Sequence, residues 1–267
     1  MLKSIKKFIR SKSDQRLACV PEGTRYYAIG DIHGRNDLFE ALIKAIDKEA
    51  KKAVDLETHV VLLGDLVDRG PDSAQVVANA REWQKRRSVR ILAGNHEEMF
   101  LQSFEDTKVL RHFLRHGGRD TILSYGMSRK AYNAASLEEL QEMLGELVPK
   151  GHRKFIRRFE EMVIAGDYVF VHAGIKPGVP LEEQARDDLL WIRERFLAYD
   201  APHPRMVVHG HTIFEDVDAR PNRIGIDTGA FRFGRLTALV LEGRERRTIQ
   251  AIDEGGKIRI EKKDSLV

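Results

Sequence analysis

Residues 60–70 read Val60-Val61-Leu62-Leu63-Gly64-Asp65-Leu66-Val67-Asp68-Arg69-Gly70, four apolar residues followed by a glycine-bounded cluster of acids and one arginine. A short apolar run rich in valine suits a strand buried on both faces. The same change of character recurs along the chain. Tyr26-Tyr27-Ala28-Ile29 runs into Gly30-Asp31-Ile32-His33-Gly34, and Val89-Arg90-Ile91-Leu92 runs into Ala93-Gly94-Asn95-His96-Glu97. Tyr168-Val169-Phe170-Val171 meets His172-Ala173-Gly174, and Met206-Val207-Val208 meets His209-Gly210-His211-Thr212.

Helical periodicity fills the gaps between the first three strands. Leu38, Leu42, Ile43 and Ile46 recur along 37–52, and Ala74, Val77 and Ala78 along 73–85. Alternation of this kind marks βαβ units, whose ligands bind beyond the carboxyl ends of the strands. Five polar clusters at such ends can converge on one site. After His96 the spacing predicts helices at 97–104, 108–116, 137–147 and 153–165. The later strands, 224–226, 236–241 and a hairpin of 247–252 with 257–261, read as antiparallel. The expected fold is α/β, a mixed sheet or sandwich with helices outside and a helical insertion, about 98–166, over one end.

Composition excludes several classes. At 42% hydrophobic and 32% charged, the chain is neither disordered nor collagen-like. One cysteine makes no internal disulfide, and no apolar run approaches the ~20 residues of a membrane span. The net charge of +4 falls to −1 without the five cations Lys3, Lys6, Lys7, Arg10 and Lys12. The body is therefore nearly neutral, and a nucleic-acid partner is not expected. We expect a basic tail at 1–16 and a catalytic domain at 17–267. Leu2, Ile5, Phe8 and Ile9, interleaved with the tail lysines, would suit weak contact with a membrane surface. The tail has no apolar core of a secretory signal, so a cytoplasmic protein is expected.

The strand-end residues Asp31, His33, Asp65, Asn95, His172 and His211 offer carboxylate, imidazole and amide oxygen donors. These suit Mn, Fe, Zn, Co or Ni rather than a thiolate-type site. In an extended strand end, residues i and i+2 face one side, so Asp31 and His33 can reach one ion. Asp65 has two oxygens and can bridge two. Paired ions ~3.5–4 Å apart clamp an in-line phosphoryl displacement and lower the pKa of a water between them.

Gly-Asp-Ile-His-Gly (30–34), Gly-Asp-Leu-Val-Asp-Arg-Gly (64–70), Gly-Asn-His-Glu (94–97), His-Ala-Gly (172–174) and His-Gly-His-Thr (209–212) stand in a telling order. Over about residues 25–240 the chain resembles the phosphoprotein phosphatase (PPP) family of the calcineurin-like metallophosphoesterases, in its bacterial serine/threonine phosphatase form. The resemblance implies a four-layer α/β/β/α sandwich of mixed sheets and two divalent ions, manganese foremost. It assigns Asp31, His33 and Asp65 to the first ion, and Asp65, Asn95, His172 and His211 to the second. His96 resembles the general acid and Asp68 its orienting partner. Arg69 and Arg193 resemble the arginines that hold the substrate phosphate. Many relatives carry arginine where Ala93 stands, a loss for which Arg35 could compensate.

The resemblance implies hydrolysis of a phosphorylated protein or a small phosphoester, foremost phosphoserine and phosphothreonine. The alternative is dinucleoside polyphosphate (diadenosine tetraphosphate) hydrolysis, whose enzymes commonly lack the acid at Asp68 and carry Asp where Glu97 stands. A non-catalytic binding module is a third reading, disfavoured by a complete ligand set. Lys150, His152, Arg153, Lys154, Arg157 and Arg158 read as a solvated helix face. His209 reads as support for the site. Cys19 and Arg25 have the spacing of a cysteine-based phosphatase, but a strand follows where that loop needs a helix, and Pro21 removes an N–H donor.

Overall fold

The computed structural model describes residues 17–266, so the basic tail assigned to 1–16 lies outside the described residues. Strands β1 (Thr24–Ile29), β2 (Glu57–Leu62) and β3 (Val89–Ile91) alternate with helices α1 (Asn36–Ala50) and α2 (Ser73–Arg86). The three strands pair in parallel, as the βαβ pattern predicts. After β3 come α3 (Asn95–Gln102) and α4 (Thr107–Phe113). A wide turn over Leu114–Gly118, kinked at Gly117, leads into α5 (Arg119–Ser124). Next are α6 (Arg129–Ala134), α7 (Leu137–Leu147) and α8 (Lys150–Ile156).

The chain then enters a second sheet. β4 (Met162–Ala165) and β5 (Tyr168–Val171) form a hairpin, followed by α9 (Arg186–Trp191), α10 (Glu194–Leu197), β6 (Met206–His209), β7 (Asp218–Ala219) and β8 (Arg223–Gly225). It returns through α11 (Ala230–Phe233) to β9 (Arg235–Glu242), β10 (Glu245–Asp253) and β11 (Ile258–Lys263). The first sheet has the order β11-β10-β9-β1-β2-β3, and the second β4-β5-β6-β8-β7.

Alternating side chains explain why both sheets are buried on two faces. In β2, Val60 and Leu62 face the helices α1 and α2, whereas Val61 and the following Leu63 face the second sheet. In β5, Tyr168 and Phe170 face the first sheet, and Val169 and Val171 face Leu189 and Phe196 of α9 and α10. Three apolar layers therefore separate four structural layers, helix, sheet, sheet and helix. Trp83, Phe39 and Tyr27 are fully buried, and each such side chain stabilises the fold by roughly 1.5–3 kcal/mol. Among the described residues no helix is long and apolar enough to cross a membrane.

Two expectations fail. The helix read at 153–165 stops at Ile156, and Met162–Ala165 is strand β4. Strand 224–226, read as antiparallel, is β8, which pairs in parallel with β6 and antiparallel only with the short β7.

Candidate metal centre and acid pair

Each candidate donor sits just past the carboxyl end of a strand, and Asp65 lies in the middle. Its Oδ2 is 3.5 Å from His33 Nε2, and its Oδ1 is 3.5 Å from His172 Nε2. His172 Nε2 also lies 3.0 Å from Asn95 Oδ1. Asp31 accepts the His211 backbone N–H through both oxygens, at 3.0 and 3.1 Å. All six side chains are buried. His33, Asp65 and His96 form one potential ligand cluster, and Asp65, His172 and His211 another.

The backbone bends sharply to achieve this. The non-glycine residues with positive φ among the described residues are His33, Asp65, Asp68, Arg69 and His211, and every one is a candidate site residue. Strained backbone concentrates at functional sites, where surrounding structure enforces it. Two glycines leave room for carboxylates. A Cβ on Gly94 would stand 2.1 Å from Asp65 Oδ1, and one on Gly210 would stand 2.1 Å from Asp31 Oδ1.

The donor set fits divalent cations. His33 donates Nδ1–H to Val67 O and His172 donates Nδ1–H to Leu63 O, both at 2.8 Å, which leaves each Nε2 with a lone pair facing the centre. His172 Nε2 and Asn95 Oδ1 are then two acceptors at 3.0 Å, an arrangement that a shared cation reconciles. Burial holds the His33 and His172 imidazoles below their usual pKa, and takes His211 down to about 2. Neutral imidazole is the form that binds metal. Burial works to raise the pKa of Asp65, but His172, His96 and His33 outweigh it and hold the group ionised.

His96 turns its Nε2 toward the centre, 3.9 Å from Asp65 Oδ2, and its other ring nitrogen toward a second carboxylate. Its Nδ1–H donates to Asp68 Oδ2 at 2.6 Å. Burial lowers the His96 pKa, but the charge of Asp65 and the bond to Asp68 prevail and raise it. The Arg69 guanidinium spans His33 Nε2 and His96 Nε2, 3.0 Å from each, and lies 4.6 Å over the Phe231 ring. Arg193 is exposed at the rim and donates Nε–H to His211 Nε2 at 3.0 Å.

Other expectations are refined. Arg35 does not replace the arginine missing at Ala93, because it binds Asp37, Asp253 and the Ala230 carbonyl. His209 packs its ring on Phe196 and Phe214, near Arg223, rather than beside the donors. Cys19 donates its N–H and Sγ–H to Asp167 Oδ2, in the turn that precedes β5 and so at the opposite end of the strands. Glu97, read only as a family marker, accepts N–H bonds from Gly94, Asp65, Leu66 and Val67 and ties two ligand loops together. Burial and Asp65 push its pKa up to about 7 against those donors.

Sequence reasoning missed Asp227. It is buried against the Asp31 carboxyl, and one of its oxygens accepts the Gly229 N–H. Burial, together with the charge of Asp65, pushes it up to about 6. Asp31, Asp65 and Asp227 concentrate buried negative charge that a cation would offset.

This sandwich, with an oxygen and imidazole donor set at its strand ends, defines a metal-dependent phosphoesterase. The chain belongs to the calcineurin-like phosphoesterase family, which it matches over residues 24–226. It is 26% identical over 250 residues to the asymmetrical bis(5'-nucleosyl)-tetraphosphatase PrpE of Bacillus velezensis, spanning 85% of this chain and 92% of that protein. It is 28% identical over 220 residues to serine/threonine-protein phosphatase 2 of Escherichia coli, spanning 79% and 90%. A solved structure provisionally described as a diadenosine tetraphosphatase shares the fold, with a TM-score of 0.60 at 19% identity over 92% of this chain and 98% of that one. The resemblance to the phosphoprotein phosphatases is borne out, and the protein is a hydrolase of phosphoester bonds.

Proposed function

We propose that this protein is a phosphomonoesterase acting on phosphoserine and phosphothreonine, with residues 17–267 as its catalytic domain. Asp31, His33 and Asp65 would hold one divalent ion, and Asp65, Asn95, His172 and His211 a second, with manganese the first choice. When bound, such ions neutralise phosphate charge and ease deprotonation of the attacking water. Arg69 and Arg193 bind and orient the phosphate oxygens. His96 gives its Nε2 proton to the departing oxygen, while Asp68 stays ionised and steadies the imidazole.

The observation that carries the reading is the buried 2.6 Å pair of His96 and Asp68. A serine or threonine alkoxide leaves poorly unless it is protonated, so a positioned acid is worth most there. A phosphoanhydride loses a stabilised phosphate and needs that proton far less. Exposure of Lys150, Lys154, Arg157 and Arg158 agrees, since nothing gathers these cations into a buried polyphosphate channel. The likeness to the Bacillus velezensis tetraphosphatase favours the second reading, dinucleoside polyphosphate hydrolysis.

The test is kinetic. Chelation should abolish turnover and manganese should restore it, whereas Cys19→Ser should leave it nearly unchanged. The restored enzyme should show higher kcat/KM for a phosphoserine peptide than for diadenosine tetraphosphate. A tenfold or greater preference for the dinucleotide would move the assignment to the second reading.

A further inference from the structure

The Asp68 carboxylate is held at both oxygens. Oδ2 accepts His96 Nδ1–H at 2.6 Å, and Oδ1 accepts the Thr121 hydroxyl at 2.6 Å. The Asp68 backbone N–H meets the Thr121 Oγ1 at 2.9 Å and the Ser73 Oγ at 3.0 Å. The two hydroxyl oxygens lie 3.0 Å apart, and both residues are fully buried. Thr121 has one hydroxyl proton. Asp68 Oδ1 is its nearest partner and the charged one, so the proton belongs there, and Ser73 is left to donate to Thr121.

Thr121 comes from α5, inside the helical stretch between the third and fourth ligand clusters. The same stretch grips the next residue of the motif. The Gly117 carbonyl accepts the Arg69 N–H at 3.2 Å, and a Cβ on Gly117 would stand 2.7 Å from Arg69 Cγ. The insertion therefore touches the acid pair and the phosphate arginine directly. A carboxylate rotates broadly about its last torsion, so one bond to His96 does not fix its plane. The second bond, from Thr121, does.

We propose that Thr121 is a positioning residue for the acid pair. It fixes the Asp68 carboxylate so that Oδ2 receives His96 Nδ1–H and leaves Nε2, which accepts from Arg69 in the resting structure, as the nitrogen that takes up and then donates the proton. The inference rests on the reading of His96 as general acid. It makes the helical insertion a working part of the site, supplying the third member of a Thr121–Asp68–His96 chain.

Thr121→Val keeps the shape and removes the hydroxyl, and Thr121→Ser keeps the hydroxyl. Manganese-loaded enzymes are compared on a phosphoserine peptide and on p-nitrophenyl phosphate, with bound metal measured in each. Thr121→Val should lower kcat on the peptide on the order of 10–100-fold, a share of the ~10²–10⁴-fold worth of general acid catalysis. The loss on p-nitrophenyl phosphate should be several-fold smaller, with KM and metal content unchanged, and Thr121→Ser should restore kcat to within about twofold. In the metal-free protein, the downfield proton resonance of His96 Nδ1–H should persist in Thr121→Ser and shift or broaden in Thr121→Val. If Thr121→Val does not fold, Thr121→Ala takes its place. Equal losses on both substrates, failure of serine to rescue, or an unmoved resonance would overturn the proposal. His96→Asn is run alongside. Equal losses on both substrates in that variant would overturn the acid reading itself, and the resonance would still decide whether Thr121 fixes the pair.

Discussion

Gly94 and Gly210 show how closely single atoms bound this site. Each lies one residue before a ligand, and each would drive a Cβ into the carboxylate of another. Gly94→Ala should therefore displace Asp65, the one side chain shared by both ligand clusters. We expect at least a tenfold loss of manganese affinity by calorimetry, in line with the 10–100-fold cost of disturbing groups around a metal. Unchanged affinity would mean that the loop gives way without moving Asp65. At this scale the sequence was legible where chemistry gathers. Asp31 and His33 stand between two glycines, and Asn95 with His96 follows a third, each after an apolar run, and that context sets them apart. Asp227 stands in a similar context, Gly225-Ile226-Asp227-Thr228-Gly229, but has no histidine or asparagine beside it, and Thr121 and Ser73 carry no such mark. The role of each arises only when distant loops fold onto Asp31 or Asp68.

Among the elements, the insertion was read least well. Phe155, Ile156, Phe159, Met162 and Val163 repeat at helical spacing, yet the helix ends at Ile156. Tertiary pairing overrides the period. Leu92 bridges Glu160 in parallel, and Arg90 binds the Glu160 carboxylate, so the chain is drawn out beside β3 before it enters β4. The basic face of α8 met its expectation in part. Lys150, Lys154, Arg157 and Arg158 are exposed, but Arg153 lies over the Phe104 ring at 5.0 Å. Neutralising the four exposed residues together should change kcat/KM for a phosphoserine peptide less than threefold at physiological salt, because exposed charges are screened beyond ~8 Å. A larger loss, steep in salt, would show that the substrate runs along α8.

Across the whole molecule, Glu49 at the end of α1 joins the first helix to the last strands. It accepts from Arg247 of β10 at 2.5 Å, from Lys262 of β11 and from the Tyr27 hydroxyl of β1 at 3.2 Å. Burial works to raise its pKa, but Arg247 and Lys262 outweigh burial and hold it at about 2, below the ordinary 4.5. A carboxylate depressed in the folded state stabilises fully above its unfolded pKa and loses that contribution as pH falls through the folded one. The window is thus about pH 4.5 down to 2. Glu49→Gln should cost about 1–3 kcal/mol at pH 7 and show a flatter acid limb, measured by urea unfolding across that range. Parallel curves for the two proteins would count against the linkage.

The order of the first sheet has a consequence for a chain made from one end to the other. β1 pairs with β9 on its second edge, Arg25 opposite Glu242, so its partner is synthesised more than two hundred residues later. The candidate ligands, the acid pair and both arginines lie between Asp31 and His211, yet three of the six strands of that sheet begin at Arg235 or beyond. A nascent chain that has just exposed Phe233 therefore carries every candidate site residue but only three of the six strands of that sheet. Its β1 presents an open edge, of the kind that recruits other strands. A version ending at Phe233 should bind manganese no better than the urea-unfolded protein and should aggregate, while co-expression with the separate segment 234–267 should recover soluble, metal-binding protein. Tight binding by the shortened chain alone would show instead that β1, β2 and β3 suffice to build the centre before the ribosome has finished.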